Sequence, residues 1–144
     1  MVDIRVLTER FAAAPQISPG DVPAIAAAGF THIVNNRPDS EVPESQSGAA
    51  IAAAASAAGL GYSAIPVDHS GFSPEQVEAL SAVLEAATGP VLGYCRSGTR
   101  STLLWALSEA ARGGDPADIA EAAASAGYDV GPVAPLMARL AGGR

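Results

Sequence analysis

The sequence predicts an α/β fold of three layers, a mostly parallel central sheet with helices on both faces. Short apolar or alternating runs rich in β-branched residues alternate with Ala-rich segments of helical length, joined by only a few residues. That is the rhythm of helices crossing between parallel strands. The single cysteine, moreover, stands where the apolar run Val91-Leu92-Gly93-Tyr94 passes through a tight polar loop into the helical periodicity of Thr102 to Leu107. Parallel sheets bind ligands outside the carboxyl ends of their strands, at such strand-to-helix turns.

Taken in order, Asp3 to Leu7 alternates as a first strand, and Phe11 to Ala14 reads as a second before Pro15; their pairing stays open. Ser18-Pro19-Gly20-Asp21 supplies an N-cap, a first-turn proline and an acid at the third position, opening a helix to about Ala28 that Gly29 ends. Thr31 to Asn35 is β-branched enough for a strand, Pro43 to Ala58 reads as a helix stopped by Gly59, and Tyr62 to Val67 as the next strand. Ser73-Pro74-Glu75-Gln76 repeats the capping pattern for a helix to about Ala87. Val91 to Tyr94 is the strand that delivers the cysteine, and Ser101 to about Ala111 the helix behind it. Asp115-Pro116-Ala117-Asp118 opens a further helix to near Gly127, and Pro132 to Leu140 a last one before a Gly-Gly-Arg tail that frays. With 144 residues, 49% apolar and only 5% aromatic, residues 1–144 form one domain with a core of Ala, Val, Leu and Ile. Trp105, Leu103, Leu104 and Leu107 anchor their helix in it.

A net charge of −7 argues against nucleic acid or an anionic membrane as partner, and no stretch is long and apolar enough for a membrane span. One cysteine excludes an internal disulfide and a multi-cysteine metal site; the two histidines have no ligand spacing, so neither metal nor cofactor is expected. His32, starting a strand, reads as structural. Met1 to Leu7 lacks the form of a signal peptide, and a working thiol suits a reducing compartment, so a cytoplasmic location is expected. All eight basic residues are Arg, a bias consistent with genomic composition.

The chemistry gathers at Cys95. Unpaired N–H groups at a helix start, with the positive end of its dipole, stabilise a thiolate and an oxyanion alike. The amides from Arg96 through Ser97, Gly98, Thr99 and Arg100 to Ser101 are the candidate cradle, and Arg100 adds a charged fork of donors. Arg96 ranks below it, because alternate side chains of such a loop point away from the converging amides. Ser101 can give its hydroxyl to the thiolate or cap the helix. At the end of the strand before Pro38, Asn36 and Arg37 can bind an oxyanion or clamp the cysteine loop. Alternatively they form ordinary turn chemistry, with Arg37 paired to Asp39 or Glu41 on the surface.

Tyr94-Cys95-Arg96-Ser97-Gly98-Thr99-Arg100-Ser101 resembles the active-site loop of single-domain rhodaneses, which runs Cys, four residues, Arg. Tyrosine and dual-specificity phosphatases place five residues there, and residue 101 is Ser. A wider resemblance covers about residues 3 to 110. Val34-Asn35-Asn36-Arg37-Pro38-Asp39, an Ala-rich helix, Tyr62-Ser63-Ala64-Ile65-Pro66-Val67 and then the cysteine loop look like the phosphatase-like domain of beta-lactamase-hydrolase-like proteins. That family has been labelled both phosphatase and sulfurtransferase, and it implies a protein tyrosine phosphatase-like or rhodanese-like version of the α/β fold.

The loop resemblance implies a sulfurtransferase. Cys95 takes sulfane sulfur from a small anionic donor, thiosulfate or glutathione persulfide, and passes it from a Cys95 persulfide to an acceptor thiol or cyanide. The alternative is a phosphatase acting on a phosphate ester through a Cys95 phosphocysteine. There Asp68 of the Asp68-His69-Ser70 loop is the best-placed acid for the leaving oxygen, unless that loop is only a polar turn ahead of the Ser73 cap. A third reading is a non-catalytic persulfide carrier for a beta-lactamase-like persulfide dioxygenase.

Overall fold

The computed structural model describes residues 2–68 and 70–142, so His69 and the end of the tail lie outside the described residues. Five strands form one sheet in the order β1-β2-β5-β3-β4: β1 Arg5–Thr8, β2 Phe11–Ala14, β3 His32–Asn35, β4 Gly61–Ala64 and β5 Val91–Tyr94. β1 runs antiparallel to β2, which supplies the pairing left open by sequence, and the other three pairs are parallel. The register sets Tyr94 beside both Ala14 and Asn35, and Asn35 beside Ala64. Four parallel strands therefore end level, and the loops that follow them share one rim with the Cys95 loop at its centre.

Strand alternation sorts the core into two layers. Ala12, Ala14, Ile33, Leu92 and Tyr94 face α1 (Val22–Ala27) and α2 (Gly48–Ala57). Phe11, Ala13, Val34 and Val91 face α3 (Pro74–Ala86), α4 (Thr99–Ala111), α5 (Pro116–Ser125) and α6 (Ala134–Gly142). Nine of the thirteen residues of α4 are buried, so this helix runs through the protein and its N-terminus is fixed in place. Leu103, Leu104, Trp105 and Leu107 are all buried there, as their spacing predicts. No helix among the described residues is long and apolar enough to cross a membrane.

Boundaries shift where local chemistry competes. Pro43 does not start α2; it precedes a 3-10 turn at Glu44–Gln46, and Ser47, extended, accepts the Ala50 N–H at 3.2 Å and starts the helix at Gly48. The helix expected from Ser18 is a 3-10 turn at Pro19–Asp21 followed by the short α1. The fourth strand ends at Ala64 before Pro66, though Ile65 and Val67 still donate to the Asn35 and Asn36 carbonyls at 2.9 Å. α4 begins two residues before Ser101, with Gly98 as its N-cap.

One close approach joins sheet to site. A Cβ at Gly93 would lie 2.7 Å from Phe11 Cζ and 3.4 Å from Ser101 Cβ. The missing side chain thus admits both the Phe11 ring, stacked on Trp105 at 6.3 Å between centroids, and the first turn of α4. Gly93→Ala is expected to cost about 1–3 kcal/mol of stability in urea unfolding, the range for overpacking. Phe11→Leu, which makes room, should cost less in that background than in the wild type, and a double-mutant cycle measures the coupling.

Candidate active site

Cys95 is only 1% exposed and forms the floor of the rim. The loop above it is built with its carbonyls turned out. The Arg96 carbonyl accepts the Gln16 N–H at 3.2 Å, and the Ser97 carbonyl accepts the Tyr128 hydroxyl at 3.1 Å. In a planar trans peptide the N–H opposes the C=O, so the Ser97 and Gly98 N–H groups turn inward. Gly98 N–H donates to Cys95 Sγ at 3.1 Å. Gly98 holds this turn at φ 92°, a region that side-chain-bearing residues avoid. A Cβ there would collide with the Tyr128 hydroxyl. The loop then enters α4, whose first-turn amides complete an anion-binding concavity.

Arg100 reaches back over this floor. Its Nη1 donates to Glu41 Oε2 at 2.9 Å and to the Val67 carbonyl at 2.7 Å, and its Nη2 to Glu41 Oε1 at 2.8 Å. Those bonds occupy the end-on fork and leave Nε–H with the second Nη2 proton, a side-on pair that matches two oxygens of a tetrahedral anion. Arg100 also lies within hydrogen-bonding reach of Cys95; Glu41 first, and then the cysteine, reinforce its charge against desolvation.

Glu41 receives a second arginine. Arg37 Nε donates to Glu41 Oε1 at 3.2 Å, its Nη2 to the Glu41 carbonyl at 3.0 Å and its Nη1 to Gln16 Oε1 at 3.2 Å. Arg37 therefore braces the rim instead of offering its fork to a ligand, and its carboxylate partner is Glu41, three-quarters buried in its side chain, and not Asp39. Asp39 accepts the Gly48 N–H at 2.8 Å. Arg100, through its hydrogen bonds, does most to hold the Glu41 carboxyl below the ordinary glutamate range; burial opposes it and Arg37 adds to it.

Asn36, 1% exposed, is a clamp. Its Nδ2 donates to the Ile65 carbonyl at 2.8 Å, while its Oδ1 accepts the Ser101 hydroxyl at 2.7 Å. That corrects both expectations for Ser101: its proton goes to Asn36 and not to the thiolate, and the cap position belongs to Gly98. Asp68 is exposed on the loop that follows the Val67 carbonyl bound by Arg100, and its Oδ1 accepts the Ser70 N–H at 2.8 Å. Arg96, Ser97 and Thr99 are exposed, with the Ser97 hydroxyl on Thr99 Oγ1 at 2.9 Å. His32 sits at the opposite end of β3, on Ser63 Oγ at 2.9 Å, and burial pulls its imidazole below the ordinary histidine range.

Cys95, Gly98, Arg100 and the Val67 carbonyl are thus brought together, with Asp68 exposed on the segment that follows and its carboxylate on Ser70, while Asn36 and Arg37 support the site from behind. Sequence reasoning placed Glu41 only as a surface partner and missed Gln16 and Tyr128. The spacing of Arg37 and Glu41, four residues apart, was the one local signal; nothing in the sequence tied Glu41 to Arg100, 59 residues on.

Residues 3–112 match the family model of the beta-lactamase hydrolase-like protein, phosphatase-like domain. The beta-lactamase hydrolase-like protein of Xylella fastidiosa (strain Temecula1) is 35% identical over 136 residues, covering 94% of this chain and 32% of its own length. This chain thus spans about a third of that curated relative. A crystal structure from Neisseria meningitidis z2491, provisionally named a phosphatase, is 32% identical, covers 95% of this chain and 97% of its own, and superposes with a TM-score of 0.81. Human DUSP28 shares the fold at 20% identity and a TM-score of 0.72, over 98% of this chain and 96% of its own.

A carboxyl lowered in the folded state stabilises it fully above the ordinary glutamate value and loses that contribution as pH falls through the lowered one. Glu41→Gln should therefore cost about 1–2 kcal/mol at neutral pH, more than a typical exposed pair because the fork is bidentate. The difference from wild type should shrink as chemical unfolding is repeated at successively more acidic pH.

Proposed function

The chain belongs to the phosphatase-like domain family of beta-lactamase hydrolase-like proteins, and we propose that it is a cysteine-dependent phosphatase acting on phosphate monoesters. The observation that carries this reading is the oxyanion cradle itself: inward amides, a helix N-terminus and the side-on pair of Arg100, all gathered around one buried thiol. Three equatorial oxygens of a phosphoryl group in flight are what such a donor set suits. The family's own description and the provisional name of the Neisseria protein support it.

In the first step the Cys95 thiolate attacks phosphorus, an S–P bond forms, and the P–O bond to the leaving group breaks. The Asp68 carboxyl gives its proton to the departing oxygen. In the second step water attacks the phosphocysteine, the Asp68 carboxylate takes the water proton, and phosphate leaves with the thiolate restored. Arg100 and the amides of Ser97 and Gly98 hold the charge in both steps, while Glu41 keeps the guanidinium in place.

A second reading rests on the spacing. Four residues between Cys95 and Arg100, with Ser101 turned away to Asn36, suit a sulfur atom carried on the cysteine. Thiosulfate, glutathione persulfide and a beta-lactamase-like persulfide dioxygenase are the partners that reading entails.

Intact-protein mass spectrometry separates the two. With an aryl phosphate under acid quench, wild type should gain one phosphoryl group and Cys95→Ser none. A sulfur adduct from thiosulfate or glutathione persulfide, removable by cyanide, without any phosphoryl adduct would transfer the assignment to sulfur. Asp68→Asn should slow turnover by about 10²–10⁴-fold on an alkyl phosphate. The loss should be much smaller on an aryl phosphate whose leaving group needs no proton; equal losses on both would remove Asp68 from the role of acid.

A further inference from the structure

Tyr128 lies outside the residues matched by the family model, in the turn after α5, yet it touches the centre of the cysteine loop. One peptide unit carries the connection. Its carbonyl, Ser97 C=O, accepts the Tyr128 hydroxyl at 3.1 Å, and its amide, Gly98 N–H, donates to Cys95 Sγ at 3.1 Å. Because the unit is planar, fixing one end fixes the other.

This peptide precedes Gly98, the only glycine from Arg96 to Ser101 and thus the loop residue whose φ can change sign without a Cβ penalty. Gly98, at φ 92° and ψ −9°, has the values of the third residue of a type II turn. Rotating the preceding peptide by half a turn converts such a turn to type I, at little steric cost to a glycine. The rotated unit would aim the Ser97 carbonyl dipole at the sulfur, destabilising a thiolate and removing one donor from the cradle.

Tyr128 is itself well held. It is 8% exposed, its N–H donates to the Ala123 carbonyl at 2.9 Å, and the Arg5 guanidinium lies 5.4 Å from its ring centroid. Arg5 is fixed in turn by Asp3 at 3.1 Å and the Ala126 carbonyl at 3.4 Å. Burial chiefly, opposed by Arg5 and helped by the Cys95 charge, keeps the phenol above the ordinary tyrosine range, so it is a protonated donor at neutral pH.

We infer that Tyr128 is a positioning residue for Cys95: its hydroxyl locks the Ser97–Gly98 peptide with the N–H toward the sulfur, so that the thiolate and the oxyanion cradle exist before substrate arrives. This rests on Cys95 being the nucleophile but not on which group it transfers. The test is the pH dependence of Cys95 alkylation by iodoacetamide in wild type and Tyr128→Phe, a change that keeps the ring. The variant's profile should move to higher pH, with alkylation about three- to tenfold slower on the rising limb and unchanged on the alkaline plateau.

Turnover of an aryl phosphate should fall in kcat more than it rises in KM. An unmoved alkylation profile overturns the inference, whether or not the melting temperature drops, because a lost packing contact lowers stability without changing the thiolate. A moved profile in a protein that forms no phosphocysteine would leave Tyr128 in its role and remove only the phosphatase reading.

Discussion

The Glu41 carboxylate is the constraint on which the rest of the site depends. It ties three chain segments together at the rim: its own loop after β3 and, through Arg100, the turn at Val67 and the first turn of α4. An arginine side chain loses about 2 kcal/mol of rotamer entropy when fixed. Here that loss occurs on folding, since Arg100 is already held at both ends of its fork. In the proposed reaction a substrate anion would meet donors that need no reorganisation, the condition under which fixed dipoles and charges accelerate a reaction most. Asn36 does the same for the backbone, with one amide group spanning β4's extension and α4.

The charge arrangement follows from this. The protein carries −7 overall, yet the Arg100 guanidinium stands within hydrogen-bonding reach of the thiol and a second guanidinium, that of Arg37, meets it on the same Glu41 carboxylate. Two cations facing one another without compensation would repel, and their combined field would bind any passing anion without discrimination. Glu41 balances Arg37 and Arg100, so the directed N–H groups around Cys95 are not swamped by an uncompensated bulk charge. Arg96, exposed at the rim, remains as a charge that draws anions toward the site over about a Debye length.

What the sequence revealed was what is local. The strand, the glycine turn and the helix around Cys95 are consecutive, and each has its own residue signature, so their positions were legible to within two residues. Ser101 shows where adjacency misleads. Next to Arg100 in sequence, it is turned by about 100° around the helix axis, which aims it at the sheet and Asn36 and away from the sulfur. Glu41 and Tyr128 were illegible for a different reason. Each acts across a separation of more than thirty residues or through a backbone carbonyl, and a carbonyl acceptor leaves no mark on residue type. The start of α2 was misplaced because Pro43 and Ser47 both offer helix-opening chemistry, and the side-chain cap of Ser47 prevails.

The nucleophile does not distinguish phosphoryl from sulfur transfer. Both reactions need a thiolate under a cradle of amides, and the outward-tied carbonyls of Arg96 and Ser97 serve either. The difference lies in the leaving group. An alkoxide departs poorly without a proton, whereas sulfite or a thiolate departs readily, so a phosphatase needs an acid where a sulfurtransferase does not. The rim residue that can supply one is Asp68, next to Val67. Arg100 holds the Val67 carbonyl, and the Asp68 carboxylate is fixed by Ser70. In the proposed phosphatase reaction, the arginine that would bind the transferred group therefore also holds the turn that carries the proposed acid. On that proposal the two halves of the reaction, charge stabilisation on one side of phosphorus and protonation on the other, would be coupled through a single guanidinium.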